Sequence, residues 1–368
     1  MKLTYSEIKD IFSKHMLYLE GKDGGEKAIF DGKDFSNMKL YNLVMKGMSF
    51  KGANLSGAFM AASNIEECDF SNANLSGAYM YDVEGDNAIF NNAKLKGTKL
   101  NGAKLSKCSF QESDLTNADL SGADLRGSDF SNSILVNVDL HNSVLIETSM
   151  KNVDLEDAVL INIKINKSNF EGANLNRANL SESNLSHTNM SNTDLSNTVF
   201  DGAILRFADM HNTNLSGMSF NGVDLSLVDF TSSKLIGVDF KGAKVYKTIF
   251  FGCDLSESLM KENSYFECNF TGAIMNNVDA TGSDFSGSNF CRTKINNSKF
   301  IKSNLDGVLA LSSEIDATNF SLSDLSNTDF SKSKISNSDM SKSITKGAKF
   351  EGTIFENVEG MIQEWRGK

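Results

Sequence analysis

The chain is 368 residues long, carries a net charge of −11 and contains no proline. A globular chain of this length would ordinarily divide into about two domains joined by proline- and glycine-rich linkers, yet the 28 glycines are spread along the whole sequence. No stretch approaches the ~18 apolar residues of a membrane span, and the opening MKLTYSEIKDIF is charged where a secretion signal needs an apolar core, so a cytoplasmic protein without membrane contact is expected.

Thr4-Tyr5-Ser6-Glu7 has the residues of a capping box, and Ile8, Ile11, Phe12, His15 and Leu19 follow at helical spacing until Gly21. The spacing predicts an amphipathic helix over residues 5–20. Residues 1–27 then read as a cap, because the first repeat would otherwise leave Phe30, Phe35 and Leu40 open to water. His15 lies on the apolar stripe and is expected to be a satisfied capping side chain rather than a reactive one.

From Phe30 to Phe355 every fifth residue belongs to one frame. Of these 66 centres all but Gly85, Ala280, Ala310 and Thr345 are Leu, Phe, Met, Ile, Val or Tyr. Two residues before a centre stands a small or β-branched residue, and between them Asp, Asn or Lys, as in Ala53-Asn54-Leu55-Ser56-Gly57. Strand alternation points the centre and the small residue inward and the polar residue outward, while the remaining pair has turn chemistry.

Centres at 30, 50, 70 and onward are Phe thirteen times in seventeen and never Leu; those at 35, 55, 75 and onward are Leu eleven times in seventeen. Like side chains stacking on themselves require a coil of 20 residues with four faces. The fold class expected is therefore all-β, a parallel quadrilateral β-helix over residues 28–357, of about 16 coils at roughly 4.8 Å each, or about 80 Å. Proline is missing because it would remove a donor from the ladder. The interior is filled by side chains and leaves no room for a substrate.

The pattern of a small residue, Asp or Asn, then Leu or Phe and two turn residues resembles the pentapeptide-repeat family over about 330 residues. The resemblance implies a right-handed coil. The stretch from His15 to Phe30 is similar to the lead-in of some bacterial members. It also implies that the end, residues 358–368 with Met361, Ile362 and Trp365, either folds over the last coil or forms a homodimer contact, as in members that pair through their C-terminal ends.

No motif for a cofactor, metal or catalytic group stands out, and an enzyme is not expected. Four of the five cysteines (68, 108, 253, 268) fill the small slot of the repeat, with Cys291 outside it, and histidines 15, 141, 187 and 211 lie far apart. Charge is uneven: residues 111–160 hold Glu112, Asp114, Asp119, Asp124, Asp129, Asp139, Glu147, Asp154, Glu156 and Asp157 against Arg126 and Lys151. Immediately before them stand Lys94, Lys96, Lys99, Lys104 and Lys107 without an acid. This acidic belt is one candidate partner surface. Two aromatic patches are others: Tyr41, Phe59, Tyr79 and Tyr81, and Tyr246, Phe251 and Phe266, all in outward slots. Gly85 reads as an empty centre and Tyr265 as a phenol in an aliphatic row, both on one face.

The resemblance implies a protein-binding role, and its best-defined mechanism is DNA mimicry toward DNA gyrase or another DNA-binding protein, without direct nucleic-acid binding. The bulk charge fits that poorly, since −11 over roughly 80 Å is far below DNA's one charge per about 1.7 Å. The alternative is a scaffold presenting partners along flat faces.

Overall fold

In the computed structural model, which describes residues 4–360, helix α1 (Tyr5–Leu19) precedes a parallel β-solenoid of stacked coils. The contacts divide the chain into two compact units, Met1–Asn184 and Leu185–Lys368. None of the described helical residues forms a helix long and apolar enough to cross a membrane.

The register confirms the 20-residue coil. Ile29 pairs with Ser49, Ser49 with Asp69 and Asp69 with Ile89, all parallel, and the same step recurs in both units. Each coil both gives and receives: the Phe30 N–H donates to the Ser49 carbonyl at 2.7 Å, and the Ser49 N–H to the Ala28 carbonyl at 3.1 Å. A proline at either kind of position would leave a carbonyl unpaired.

Corners follow one rule. The Lys33 N–H donates to the Phe30 carbonyl at 3.1 Å, and Gly32 between them has φ 64°, the geometry of a type II turn, which needs a positive φ at its third residue. The equivalent residue has positive φ at every corner from Gly32 to Asn357. Glycine and asparagine tolerate that conformation best, and valine, isoleucine and threonine never occupy it. The turn leaves so little extended chain that most faces contribute only one bridging residue.

One face of the second unit departs from this. There the corners open into five short strands, β1 (Ile274–Asn276), β2 (Lys294–Asn296), β3 (Glu314–Asp316), β4 (Lys334–Ser336) and β5 (Ile354–Glu356), paired in that order. The Val278 N–H, which a closed turn would use, donates to the Ser298 hydroxyl at 3.0 Å, and that hydroxyl donates to the Met275 carbonyl at 2.8 Å. A serine from the next coil thus completes an opened corner, a structural reason for hydroxyl residues in the small slot.

The core is a column of stacked centres. Phe50, Phe70, Phe90, Phe110 and Phe130 lie face to face with centroids 5.2, 5.1, 4.7 and 4.5 Å apart. Each fully buried aromatic or aliphatic side chain contributes about 1.5–3 kcal/mol. Gly85 does not leave an empty centre, contrary to the sequence expectation. A Cβ there would lie 2.8 Å from Ile65 and 2.9 Å from Leu105, because those flexible neighbours lean into the space. Tyr265 is fully buried between Phe240 and Phe285; its hydroxyl meets no hydrogen-bond partner among the described residues, and burial holds its pKa well above the usual phenol value.

The cap forms as the sequence predicts. Thr4 and Glu7 make both halves of the capping box, Phe12 packs 5.8 Å from Phe30, and Ile8 is buried. His15, fully buried, accepts from the Ala28 N–H through Nδ1 (3.2 Å) and donates from Nε2 to the Lys46 carbonyl (2.9 Å). Those two bonds define a neutral ring with its proton on Nε2. Burial lowers its pKa, against the opposing pull of the Lys46 carbonyl.

Candidate functional site

The acidic belt is built into the backbone of the first unit. Asp114, Asp119, Asp124 and Asp129 precede consecutive centres, so one coil carries one aspartate on each of its four faces. Each accepts a hydrogen bond from the N–H two residues on: Thr116 at 3.0 Å, Ser121 at 3.1 Å, Arg126 at 3.3 Å and Ser131 at 2.9 Å. Asp139 and Asp154 do the same to His141 and Glu156. This local bond explains why Asp or Asn fills the slot.

Basic residues then compensate the belt. Lys94, Lys99 and Lys104 lie directly across β-bridges from Asp114, Asp119 and Asp124, with Lys99 at 3.8 Å from Asp119 and Lys104 turned to Glu84 at 3.0 Å. Arg126 clasps Asp124 and holds its carboxyl below the usual range. Arg177 does the same for Asp157 while also reaching Glu156. Lys167 stands 3.5 Å from Glu147. Glu112, at a positive-φ corner, and Asp114 and Asp154 meet no lysine or arginine within 4 Å among the described residues.

The aromatic residues are not consumed in this way. In the first unit Phe59 and Tyr79 occupy the slot before centres one coil apart, Met60 and Met80, and stack at 4.8 Å, only 2° from parallel. Tyr41 and Tyr81 stand on the adjoining corner, with Ala61 buried between them. All four rings remain 39–52% exposed. In the second unit Tyr246 and Phe266 stack at 6.1 Å. Phe251 stands on the next corner, across the face that carries Ile249, and makes no ring contact with that pair.

The coil, the turn rule and the slots match a known sequence family. The model described as "Pentapeptide repeats (8 copies)" matches residues 26–57, 63–102, 93–132, 123–160, 154–192, 178–217, 208–250, 273–309 and 318–357. The chain belongs to the pentapeptide-repeat family. Among solved structures, it is similar to HetL, a pentapeptide-repeat protein involved in heterocyst differentiation regulation in Nostoc sp. strain PCC 7120, with 21% identity, 76% of this chain and 93% of that one covered, and a TM-score of 0.22. A trypsin-treated form of QnrB1, a plasmid-mediated fluoroquinolone resistance protein, shows 20% identity over 55% and 89% of the two chains with a TM-score of 0.32. A pentapeptide-repeat protein of the Arabidopsis thaliana thylakoid lumen shows 28% identity over 37% and 70%, with a TM-score of 0.21. No curated protein matches the chain.

Within the pentapeptide-repeat frame the other sequence candidates take structural places. The Cys68 and Cys253 thiols donate to the Met45 and Phe230 carbonyls at 2.9 and 2.8 Å, as serines do elsewhere, and burial pushes both up to about 12. Cys108 and Cys268 fill the same slot, and Cys291 is half-exposed. His141 and His211 each set Nδ1 2.6 Å from the aspartate two residues before. Among the described residues, no three His, Cys, Asp or Glu side chains converge on a metal-sized site. A polar groove of about 510 Å³ lies over β1–β5, where Lys334 meets Glu356 at 2.8 Å and Lys294 approaches Glu314 at 3.9 Å. Met361, Ile362 and Trp365 fall outside the described residues.

Sequence reasoning missed one cluster. His187, Phe207 and Leu227 occupy the positive-φ position of the same corner in three successive coils, on the same edge as Tyr246 and Phe266. His187 and Phe207 stack at 4.6 Å and 6°. The available signal was a bulky residue in a slot otherwise dominated by glycine and asparagine.

Proposed function

We propose that this pentapeptide-repeat protein is a non-enzymatic scaffold that binds protein partners through its exposed aromatic ladders. The observation that carries this reading is the Phe59–Tyr79 stack flanked by Tyr41 and Tyr81. A contiguous exposed aromatic surface of this kind is enriched at protein interfaces, and its rings make no contribution to the filled core.

A second reading, DNA mimicry toward DNA gyrase or another DNA-binding protein, is favoured by Glu112, Asp114, Asp129, Asp139 and Asp154, the belt carboxylates that meet no lysine or arginine within 4 Å among the described residues. The two readings differ in salt dependence. A mimic binds through charge and weakens steeply as ionic strength rises; an aromatic contact does not. The test is a gyrase supercoiling assay with purified full-length protein, with and without a fluoroquinolone, at two salt concentrations. Under the scaffold reading supercoiling is unchanged at micromolar protein. Inhibition or drug protection that fades with salt and vanishes in D114N/D119N/D129N establishes the mimic and overturns the scaffold.

A further inference from the structure

The second unit carries an edge that works against its own backbone. At the corners after Leu185, Leu205 and Leu225 the positive-φ position is filled by His187 (φ 60°), Phe207 (φ 60°) and Leu227 (φ 62°). Side chains with a Cβ disfavour this conformation because Cβ crowds the carbonyl; glycine or asparagine fills most corners and charged residues such as Glu67, Lys107 and Arg177 fill others, but large apolar residues occur only at Phe207, Leu227 and the isolated Leu322 among the described corners. Core burial does not explain the exception: Phe207 is 45% exposed and Leu227 half-exposed.

These side chains are contiguous. The His187 N–H donates to the Arg206 carbonyl (3.0 Å), Phe207 to Ser226 (3.2 Å), Leu227 to Tyr246 (2.8 Å) and Lys247 to Phe266 (3.1 Å), so each corner sits on the next. Two ring stacks, His187–Phe207 and Tyr246–Phe266, lie at the two ends with Leu227 between them. Ile204, 42% exposed, widens the strip on one side. An apolar strip at strained positions is the kind of local cost that persists for function rather than for folding.

Arg206 lies 5.8 Å over the Phe207 ring and Lys247 5.2 Å over Tyr246. Arg206 and the exposed Lys244 meet no carboxylate within 4 Å among the described residues. Of the neighbouring acids, Glu267 meets Lys247 at 3.0 Å, while Asp209, Asp224 and Asp229 keep their charge and accept from the turn N–H two residues on. The edge therefore offers apolar surface topped by Arg206, a cation that lies over the Phe207 ring and has no carboxylate partner among the described residues.

We propose that the edge from His187 to Phe266 is a docking ridge for a protein partner whose contact surface is apolar and bordered by carboxylates. This rests on the protein-binding reading above and assigns it to residues outside the first unit.

The test pans a displayed library of random dodecamer peptides on the full-length protein and measures the recovered peptides by fluorescence polarisation against wild type, F207N/L227N, R206Q and Y79S. Asparagine suits the turn, so F207N/L227N is expected to fold with a Tm equal to wild type or a few degrees higher. Recovered peptides are expected to combine Trp, Phe or Leu with Asp or Glu and to bind F207N/L227N about tenfold or more weakly. R206Q is expected to weaken them by a smaller factor, and Y79S to leave them unchanged. A lowered Tm in F207N/L227N removes the strain premise. Peptides lost only in Y79S overturn the ridge while leaving protein binding intact, and no specific peptide for any form overturns both. Binding of a fluorescent dT oligonucleotide that F207N/L227N abolishes, or wild-type self-association that it abolishes in sedimentation, also overturns the ridge as a site for a separate protein partner.

Discussion

The aspartate coil at 111–130 and the apolar edge from His187 to Phe266 both depart from the average repeat, but the backbone treats them in opposite ways. Asp114, Asp119 and Asp129 accept the N–H groups of their own turns, so they would be favoured there with no partner to bind. Phe207 and Leu227 occupy a conformation their side chains disfavour. In a repeat protein, an unusual residue that satisfies the local geometry reports on folding. One that opposes it reports on something outside the fold.

The largest test of this contrast is on the aspartates. D114A/D119A/D129A removes three turn hydrogen bonds, together with the Thr116, Ser121 and Ser131 hydroxyl contacts to the same carboxylates. Counting only the three N–H bonds, because the freed hydroxyls return to water, about 1 kcal/mol each gives a loss of about 3 kcal/mol. In D114N/D119N/D129N the side-chain oxygen remains as acceptor, and stability is expected to stay within about 1 kcal/mol of wild type. Urea unfolding of the two triple variants measures the difference. Equal stability in both would mean the carboxylates are free groups, and the belt would regain its standing as a binding surface.

Much of this was legible in the residues themselves. The five-residue frame, the 20-residue coil and the capping helix follow from periodicity, because a centre that slipped by one position would point to solvent. His15 was readable as a capping group from its place on the stripe. The fate of charge was not: a column of Asp in outward slots looks identical whether its oxygens face water or fold back on the next N–H. Gly85 misled for a related reason, since volume at one centre is shared with Ile65 and Leu105 in the neighbouring coils. The opened corners after β1 and β3 were also hidden, because the serines that complete them, Ser298 and Ser338, lie in the next coil.

A smaller effect is confined to the cap. His15, like the belt aspartates, is a polar group consumed by backbone, and its lowered pKa means that the folded state resists protonation. Its contribution is therefore fully present above the ordinary histidine value near 6.5 and is lost as pH falls through the lowered folded-state value. Protonation also destroys the Nδ1 acceptor that holds the Ala28 N–H. Protection factors in residues 5–19, corrected for the intrinsic pH dependence of amide exchange, should fall below about pH 6 while those around Phe110 do not. H15Q should flatten that pH dependence. Protection factors independent of pH in wild type would mean the ring tolerates its charge.

The smallest expected effect is close to zero, and for that reason separates the two regions most sharply. Asparagine at position 207 can adopt φ near 60° with little of the penalty that phenylalanine bears, so Phe207→Asn should relieve about 1 kcal/mol of backbone strain. It forfeits the 4.6 Å stack on His187 and the Arg206 contact, exposed interactions that together return about 0.5–1.5 kcal/mol at most. The net is within about 0.5 kcal/mol of zero in either direction, measured as the urea midpoint at constant m. Removing a large aromatic side chain without loss is the signature of a residue kept for contact rather than for folding. A loss of about 2 kcal/mol or more on the aromatic-truncation scale would instead make Phe207 part of the unit's own packing, and the contrast with the aspartate coil would disappear.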